Sequence, residues 1–178
     1  MTCIVAIENA DGVVLATDSA ATDQTGELDF VDEPKWVVTP NYVAAWAGSM
    51  EFPGALGRVK VRHKRAVESP KQYAHYLVST WRAASPSKPL DTTLLLVIEN
   101  KVFYVQDDWS VYRSAHGYSA AGSGSLVALG SLFSTISKPT KERAILAVYA
   151  ASMHCTTVAK PIHVLEITGK QKQYTLVE

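Results

Sequence analysis

Short apolar runs joined by tight turns are the feature that most constrains the fold of this chain. Residues 3–8 are apolar and β-branched, NADG at 9–12 has the composition of a turn, and 13–18 form a second apolar run. Two such runs around a short turn predict a β-hairpin. The same arrangement recurs at 36–38 with 42–47, at 92–98 with 102–105 and at 162–168 with 174–177.

Helix signals lie between these hairpins. Ser69 is a suitable cap and Pro70 a suitable first residue, and apolar residues follow them at helical spacing. Thr140 is expected to cap a later helix, and the polar, acidic stretch 24–34 is interpreted as a surface loop. Helices are expected over 51–66, from 69 to the break at 85–89, over 126–133 and over 140–154.

The grouping of strands and helices indicates the fold class. Strands that come in hairpins favour antiparallel sheets over βαβ units. Runs such as TLLLVI at 93–98 are apolar on both faces, which suits sheets buried between other layers. We therefore expect an α+β fold, a four-layer αββα sandwich with two antiparallel sheets between helix layers. Residues 1–178 are expected to form a single domain.

Composition excludes several classes of protein. The 178 residues carry 17 basic and 17 acidic side chains, and this zero net charge argues against a broad nucleic-acid or anionic-membrane footprint. No apolar run approaches the ~18 residues of a membrane span. The N-terminus lacks the basic region of a signal peptide. Two cysteines are too few for a disulfide scaffold, so a soluble, cytoplasmic protein is expected.

Three residues of different chemistry are expected to converge near the N-terminus. Thr2 follows Met1 and leads directly into the first strand. Asp18 ends the hairpin partner of that strand, so it lies back beside Thr2. Lys35 begins the next strand.

With these residues the chain resembles the N-terminal-nucleophile (Ntn) hydrolases, specifically proteasome β subunits and HslV, the bacterial ATP-dependent peptidase subunit. The length is closer to the compact HslV type. The matching stretches are TCIVAIENADGVVLATDSAAT (2–22), KWVVTPNYVAAWAGS (35–49), TTLLLVIENKVFYV (92–105) and AAGSGS (120–125).

The resemblance implies a catalytic role for several residues. Thr2 would be the nucleophile once Met1 is removed, and its own α-amine would be the general base. Lys35 would lower the pKa of the hydroxyl–amine pair, and Asp18 would hold Lys35. The backbone N–H of Gly48 would stabilise the oxyanion.

The resemblance also implies contacts around the nucleophile. Ser123 would contact the Thr2 amine and relay its proton. Thr22 would pair its backbone with an extended substrate, a β-augmentation mode of binding. Trp46 is expected to line the substrate side-chain pocket or to belong to the core, and Ser49 is placed on the substrate side with it.

One stretch departs from the proteasome pattern. Where proteasome subunits have Asp-x-x-Ser-Gly-Gly, this chain has CTTVAK at 155–160. HslV also lacks the Ser-Gly-Gly, and its ending resembles PIHVLEI at 161–167. In the HslV relatives this loop binds a monovalent cation through carbonyl groups, which here would lie near Thr156–Ala159. No other cofactor or metal is expected.

Other interpretations of these residues stay open at this stage. Cys3 could be the nucleophile of a related acylase or an inert buried thiol, and Asp18 with Lys35 could be a plain surface ion pair. The histidines show no metal-ligand spacing and are interpreted as structural or surface residues; they include His116, His154 and His163. The basic cluster Lys60, Arg62, His63, Lys64 and Arg65 could be a solvated helix face or a subunit or ATPase contact.

The sequence thus predicts a threonine-type endopeptidase subunit. The resemblance implies assembly into hexameric or heptameric, stacked rings, a peptide or unfolded-protein substrate and an ATP-dependent unfoldase as partner. No nucleic-acid or membrane partner is expected. The alternative is a catalytically inactive proteasome-like structural subunit, and a weaker third option is a small-molecule amidase on the same fold.

Overall fold

Hairpin-forming runs build two antiparallel sheets in the computed structural model, which describes residues 2–22, 27–49, 52–84 and 92–178. The described strands are β1 (Cys3–Glu8), β2 (Val13–Thr17), β3 (Ala20–Thr22), β4 (Leu28–Phe30), β5 (Trp36–Val38), β6 (Val43–Gly48), β7 (Thr92–Ile98), β8 (Lys101–Val105), β9 (Val111–Tyr112), β10 (Tyr118–Gly122), β11 (Ile162–Thr168) and β12 (Gln171–Val177). The described helices are α1 (Phe52–Arg58), α2 (Pro70–Ala84), α3 (Ser125–Ser134) and α4 (Thr140–His154). The α+β class is therefore confirmed.

The first sheet places the N-terminal strand among later parts of the chain. Its order is β10-β1-β2-β11-β12, and the second sheet has the order β5-β6-β7-β8-β9. Neighbouring strands pair antiparallel throughout, with Val5 opposite both Ala120 and Ala16. Strand β1 is thus an interior strand, and its first residues lie between β10 and the end of β2.

A third, two-stranded sheet corrects the prediction of two sheets. Strand β3 pairs with β4 in the part of the chain assigned to a surface loop over 24–34. All three residues of β4 are exposed, so they lack the alternation of buried and exposed positions that predicts a strand. Residues 23–26, which also belong to the predicted loop or border it, lie outside the described residues.

The two faces of β1 pack against different neighbours. Cys3, Val5 and Ile7 belong to a buried cluster with side chains of α3 and α4. Ile4 and Ala6 belong to a second cluster that includes side chains of the second sheet and α2. Since successive side chains of a strand point to opposite faces, the even-numbered positions of β1 face the second sheet.

The segment after the second sheet's first hairpin differs from the predicted helix over 51–66. Helix α1 ends at Arg58, and residues 60–65 are not helical. Side-chain contacts hold this segment instead: Tyr76 Oη accepts from the Arg62 N–H at 3.1 Å, and Arg62 forms an ion pair with Glu68. Tertiary contacts have therefore overridden local helix propensity. Residue 51 lies outside the described residues, as do the break at 85–89 and Met1.

The predicted start of α2 is confirmed in detail. Ser69 Oγ accepts from the Gln72 N–H at 3.2 Å, and the Gln72 side chain accepts from the Ser69 N–H at 2.8 Å. This reciprocal pair is a capping box. Within the described ranges, no helix is long and apolar enough to cross a membrane.

Candidate active site

Thr2 lies at the start of β1, where the first sheet meets the second. It shares the orientation of Ile4 and is 5% exposed. Its carbonyl oxygen accepts from Ser123 Oγ at 3.3 Å and from the Gly124 N–H at 3.4 Å. The backbone of Thr2 is therefore held by the turn that follows β10.

Asp18 and Lys35 form a fully buried ion pair. Lys35 Nζ lies 2.7 Å from Asp18 Oδ1, and the side chains are 1% and 0% exposed. Nζ also donates to the Ala20 carbonyl oxygen. The interpretation of this pair as a surface ion pair is wrong, because neither side chain reaches solvent.

Backbone donors connect the Asp18 carboxylate directly to the residue after Thr2. Oδ1 accepts from the Cys3 N–H at 2.9 Å. Oδ2 accepts from the Ala20 N–H at 3.1 Å and from the Ala159 N–H at 3.4 Å. The predicted convergence of the N-terminus, Asp18 and Lys35 is thus present in the structure.

Burial shifts the pKa of two groups at this site. It lowers the pKa of the Lys35 ammonium, and the Asp18 carboxylate opposes that shift. It raises the pKa of the Cys3 thiol, and the Asp18 carboxylate adds to the rise. Because a thiolate is the reactive form of cysteine, the enclosed, protonated Cys3 does not suit the role of nucleophile.

Two glycines near Thr2 have backbone conformations that other residues rarely adopt. Gly122 has a φ of +92°, and a Cβ there would lie 2.1 Å from the Thr2 carbonyl oxygen. Gly48 has a φ of +138° and is exposed at the end of β6. The close approach of β10 to Thr2 therefore requires glycine at position 122.

Ser123 and the predicted cation loop lie side by side. Ser123 Oγ is 2.8 Å from Thr157 Oγ1, in addition to its bond to the Thr2 carbonyl. The Ala159 carbonyl accepts from the Ser19 N–H at 3.0 Å. Contact of Ser123 with the Thr2 amine and cation binding near Thr156–Ala159 stay predictions. Over the described ranges, no group of three or more His, Cys, Asp and Glu side chains is arranged to hold a metal ion.

A cavity of about 480 Å³ opens beside Lys35. Trp46 lies in its wall and is only 5% exposed, so it both lines the cavity and packs in the core. Its indole Nε1 is buried without a hydrogen-bond partner among the described residues. The remaining lining residues are Val31, Asp32, Glu33, Pro34, Trp36 and Val37.

The other two proposed substrate-binding residues lie on separate elements. Thr22 ends β3, opposite Leu28 of β4. Ser49 follows Gly48, and its N–H donates to Thr92 Oγ1 at 3.1 Å. Their roles in substrate binding stay predictions.

The interpretation of His163 as a structural residue agrees with the structure, but its bond to Ser19 beside the ion pair was not predicted. His163 is 1% exposed, and its Nε2 lies 2.8 Å from the Oγ of Ser19, which is itself fully buried. By contrast, His116 and His154 are exposed. The apolar run around His163 was the available signal, since a histidine inside a buried strand needs hydrogen-bond partners.

The chain matches several solved structures over nearly its whole length. Thiobacillus denitrificans BPH in complex with epoxomicin is 18% identical, with a TM-score of 0.75 and coverage of 99% of each chain. Thiobacillus denitrificans BPH matches with a TM-score of 0.76. The Anbu (Gly-1) mutant from Hyphomicrobium sp. strain MC1 is 13% identical, with a TM-score of 0.80 and coverage of 100% of this chain and 88% of that one. The chain shares their fold.

These matches correct the family suggested by the sequence. BPH and Anbu stand where HslV and the proteasome β subunits were expected, and no protein-family model or curated protein matches the chain. The physical reason is that the matching stretches cover strands, hairpins and turns of the fold itself. Such stretches describe the fold and do not separate families that share it.

Proposed function

We propose that this chain is a hydrolase of peptide bonds whose nucleophile is the Thr2 hydroxyl and whose general base is the Thr2 α-amine, freed when Met1 is removed. The observation that carries the proposal is the buried ion pair at the chain end. Asp18 holds Lys35 at 2.7 Å and also accepts the N–H of Cys3, the residue next to Thr2. Buried ionisable groups cost free energy, so a pair kept beside a chain terminus supports a chemical role.

The reaction is an acyl transfer followed by hydrolysis. Thr2 Oγ attacks the substrate carbonyl carbon while its proton passes to the α-amine, whose pKa of about 7.7–8.0 leaves much of it neutral near pH 7.5. Collapse of the tetrahedral intermediate breaks the C–N bond, and the leaving amine takes that proton. Water then attacks the ester, which releases the acid and restores the Thr2 hydroxyl.

Lys35 and Gly48 supply electrostatic stabilisation in this scheme. A positive charge in a poorly hydrated site favours deprotonated forms of the neighbouring hydroxyl and amine. Since burial lowers the pKa of Lys35, the charged form depends on Asp18. The backbone N–H of Gly48 is proposed to donate to the developing oxyanion. Ser123, bonded to the Thr2 carbonyl, is proposed to relay protons at the amine.

Substrate side chains are proposed to enter the cavity beside Lys35. Its volume of about 480 Å³ accommodates one large side chain, and Trp46 provides an aromatic wall. Thr22 is proposed to pair its backbone with the extended substrate, and Ser49 to lie along the same strand. Cleavage preference would then depend on residues 31–37 and Trp46.

We extend the proposal to the layers and to assembly. Contacts of α3 and α4 with β1, of β1 with β6 and of α2 with β7 support one domain with layers in the order helix, sheet, sheet, helix.

Large apolar side chains on and near α3 and α4 are exposed, namely Leu126, Phe133, Ile136 and Met153. This surface supports self-association into hexameric or heptameric rings. A monomeric mass in light scattering at micromolar concentration would exclude the assembly.

The nucleophile is tested with Thr2→Ala, Thr2→Ser and, as a matched control, Thr168→Ala at the exposed far end of β11. Turnover of a fluorogenic peptide should fall at least about 1,000-fold in Thr2→Ala. Thr2→Ser keeps the hydroxyl and should retain part of the activity, and Thr168→Ala should match the unaltered chain.

Intact mass and a covalent probe complete this test. BPH in complex with epoxomicin suggests the probe, since an epoxyketone needs both a hydroxyl and a free amine to close its ring on an N-terminal threonine. The chain that has lost Met1 should be labelled at Thr2. Full retention of Met1 in the native protein would support the inactive structural subunit instead. An adduct on Cys3, or turnover that persists in Thr2→Ala, would overturn the assignment.

A further inference from the structure

A chain of hydrogen bonds runs from the protein surface to the residue beside Asp18. Tyr174 on the edge strand β12 is 49% exposed, and its Oη lies 2.8 Å from His163 Nδ1. On the other side of the ring, His163 Nε2 lies 2.8 Å from Ser19 Oγ. Ser19 Oγ in turn donates to the Pro161 carbonyl at 2.7 Å.

The direction of these bonds assigns the histidine tautomer. Ser19 has one hydroxyl proton, and the Pro161 carbonyl can only accept it. Ser19 Oγ must therefore accept from His163, so that Nε2 carries the ring proton. Nδ1 is then the acceptor for the Tyr174 hydroxyl in the neutral ring.

Every polar group of Ser19 has a partner. Its N–H donates to the Ala159 carbonyl at 3.0 Å, and its carbonyl accepts from the Val31 N–H at 2.9 Å. Its hydroxyl joins His163 to Pro161. Ser19 thus connects strand β11, the loop before it and the segment after β4, and its neighbour Asp18 is held within that network.

We propose that His163 is a positioning residue for the Asp18–Lys35 pair, acting through the bond from its Nε2–H to Ser19. The loop that Ser19 binds also supplies the Ala159 N–H to Asp18 Oδ2. Loss of the His163 bond would leave Ser19 Oγ without its donor, and it would loosen the contacts of Ser19 and of Asp18 with that loop. The effect on turnover rests on the proposed function, whereas the hydrogen-bond chain itself does not.

The surroundings of the ring favour its neutral form. Burial lowers the pKa of His163 from its ordinary value, and the Lys35 ammonium lowers it further, while Asp18 and Asp32 act in the opposite direction. Tyr174 is the other titratable group in contact with the ring. Protonation would place a second cation near Lys35 and would force the Tyr174 hydroxyl to turn and accept. The Nε2–H bond to Ser19 remains in the charged ring, so the positioning is expected to weaken through the repulsion between His163 and Lys35 as pH falls through the pKa of His163.

The test compares His163→Leu, His163→Gln and a matched control, His154→Gln at the exposed end of α4. Leucine fills the space without a donor, whereas the glutamine amide can still donate to Ser19 and does not titrate near neutral pH. Because misplacement of catalytic groups slows the chemical step, kcat should fall about tenfold or more in His163→Leu, with KM little changed. His163→Gln should restore most of kcat and remove the part of the acid-side loss of kcat that lies below the titration of the Thr2 amine. Thermal unfolding identifies any variant that fails to fold.

A second measurement does not depend on turnover. ¹⁵N NMR of the imidazole-labelled chain should show His163 as the Nε2–H tautomer with a pKa below the ordinary histidine value of about 6.5. In Lys35→Met the pKa of His163 should rise, because the neighbouring positive charge is gone.

The outcomes separate this inference from the proposed function. If the unaltered chain has no turnover, the proposed function fails, and the NMR result alone decides the positioning role. An Nε2–H tautomer whose pKa rises in Lys35→Met supports that role. The positioning role would be overturned by an Nδ1–H tautomer, or by a pKa of His163 that is unchanged in Lys35→Met. A folded His163→Leu with unchanged kcat and an unchanged pH profile would also overturn it.

Discussion

Two regions of the molecule each contain a lysine–carboxylate pair and a glycine. One region is the end of the first sheet that holds Thr2, and the other is the helix pair α3–α4 with the turn that joins the helices. The two ion pairs differ in how far their side chains are exposed. Lys35 and Asp18 lie 2.7 Å apart with 1% and 0% of their side chains exposed. Lys138 and Glu142 lie 2.5 Å apart with 45% and 46% exposed. The two distances are alike, so burial and not proximity distinguishes the regions.

The difference shows what each pair contributes. The exposed pair is well hydrated and its attraction is screened by solvent, so it contributes only about 0.5 kcal/mol to the free energy of unfolding. The buried pair has lost its hydration, so each charge depends on its remaining partners. Asp18 has three backbone donors besides Lys35, whereas Lys35 has the Ala20 carbonyl besides Asp18. The buried charge of Lys35 therefore depends more on Asp18 than the charge of Asp18 depends on Lys35.

The largest expected effect comes from breaking the buried pair. Asp18→Asn should lower the free energy of unfolding by about 3–5 kcal/mol, because it leaves Lys35 buried without its counter-charge. Lys35→Met should cost less, since Asp18 keeps its backbone donors. Denaturant unfolding measures both, and turnover should be lost in both.

Glu142→Gln is the matched control for Asp18→Asn. It removes one charge of the exposed pair and should change the free energy of unfolding by at most about 0.5 kcal/mol. Equal effects of Asp18→Asn and Glu142→Gln would contradict the role of burial in this comparison.

An intermediate change in the free energy of unfolding is expected when a glycine-to-alanine substitution adds one methyl group to each region. In Gly122→Ala the Cβ would meet the Thr2 carbonyl oxygen at 2.1 Å, on a backbone with a φ of +92°. The free energy of unfolding should fall by about 2–3 kcal/mol. At Gly130 in α3 an added methyl group would meet no atom within 4 Å, so Gly130→Ala should stabilise the chain by up to about 1 kcal/mol. Thermal unfolding should shift in opposite directions, and a loss in both variants would contradict the difference between the regions.

The smallest expected effect is a difference in alkaline pH dependence. Burial lowers the pKa of Lys35 below its ordinary value, so the unfolded chain holds that proton more tightly. The contribution of Lys35 to folding stability is complete above the unfolded pKa of about 10.4, and it is lost as pH falls through the folded pKa. The free energy of unfolding, followed against pH, should therefore have a different slope in Lys35→Met over this range. A slope in Lys35→Met identical to that of the unaltered chain would contradict the lowered pKa of Lys35.

The strands and most helices could be predicted because their signals are local. Strands Cys3–Glu8, Trp36–Val38 and Thr92–Ile98 and helix Thr140–His154 have the predicted bounds. Strand Leu28–Phe30 could not be predicted, because it is exposed and forms only through its partner Ala20–Thr22. The helix predicted over 51–66 was too long, since Arg62 binds Glu68 and Tyr76 in a non-helical segment.

The candidate site also has one part that local sequence signals predict and another that depends on tertiary structure. The sequence by itself determined that Asp18 returns to the start of β1, because a hairpin brings the end of β2 back beside it. The position of Lys35 beside Asp18 depends on the packing of the second sheet, to which β5 belongs. Only the tertiary structure decided that Asp18 and Lys35 are buried and that His163 binds Ser19 from a strand far along the chain. Burial and long-range hydrogen bonds depend on which strands become neighbours, and no local pattern of residues encodes that choice. Stretches that cover strands and turns of the fold likewise did not distinguish HslV from the BPH and Anbu structures that share this fold.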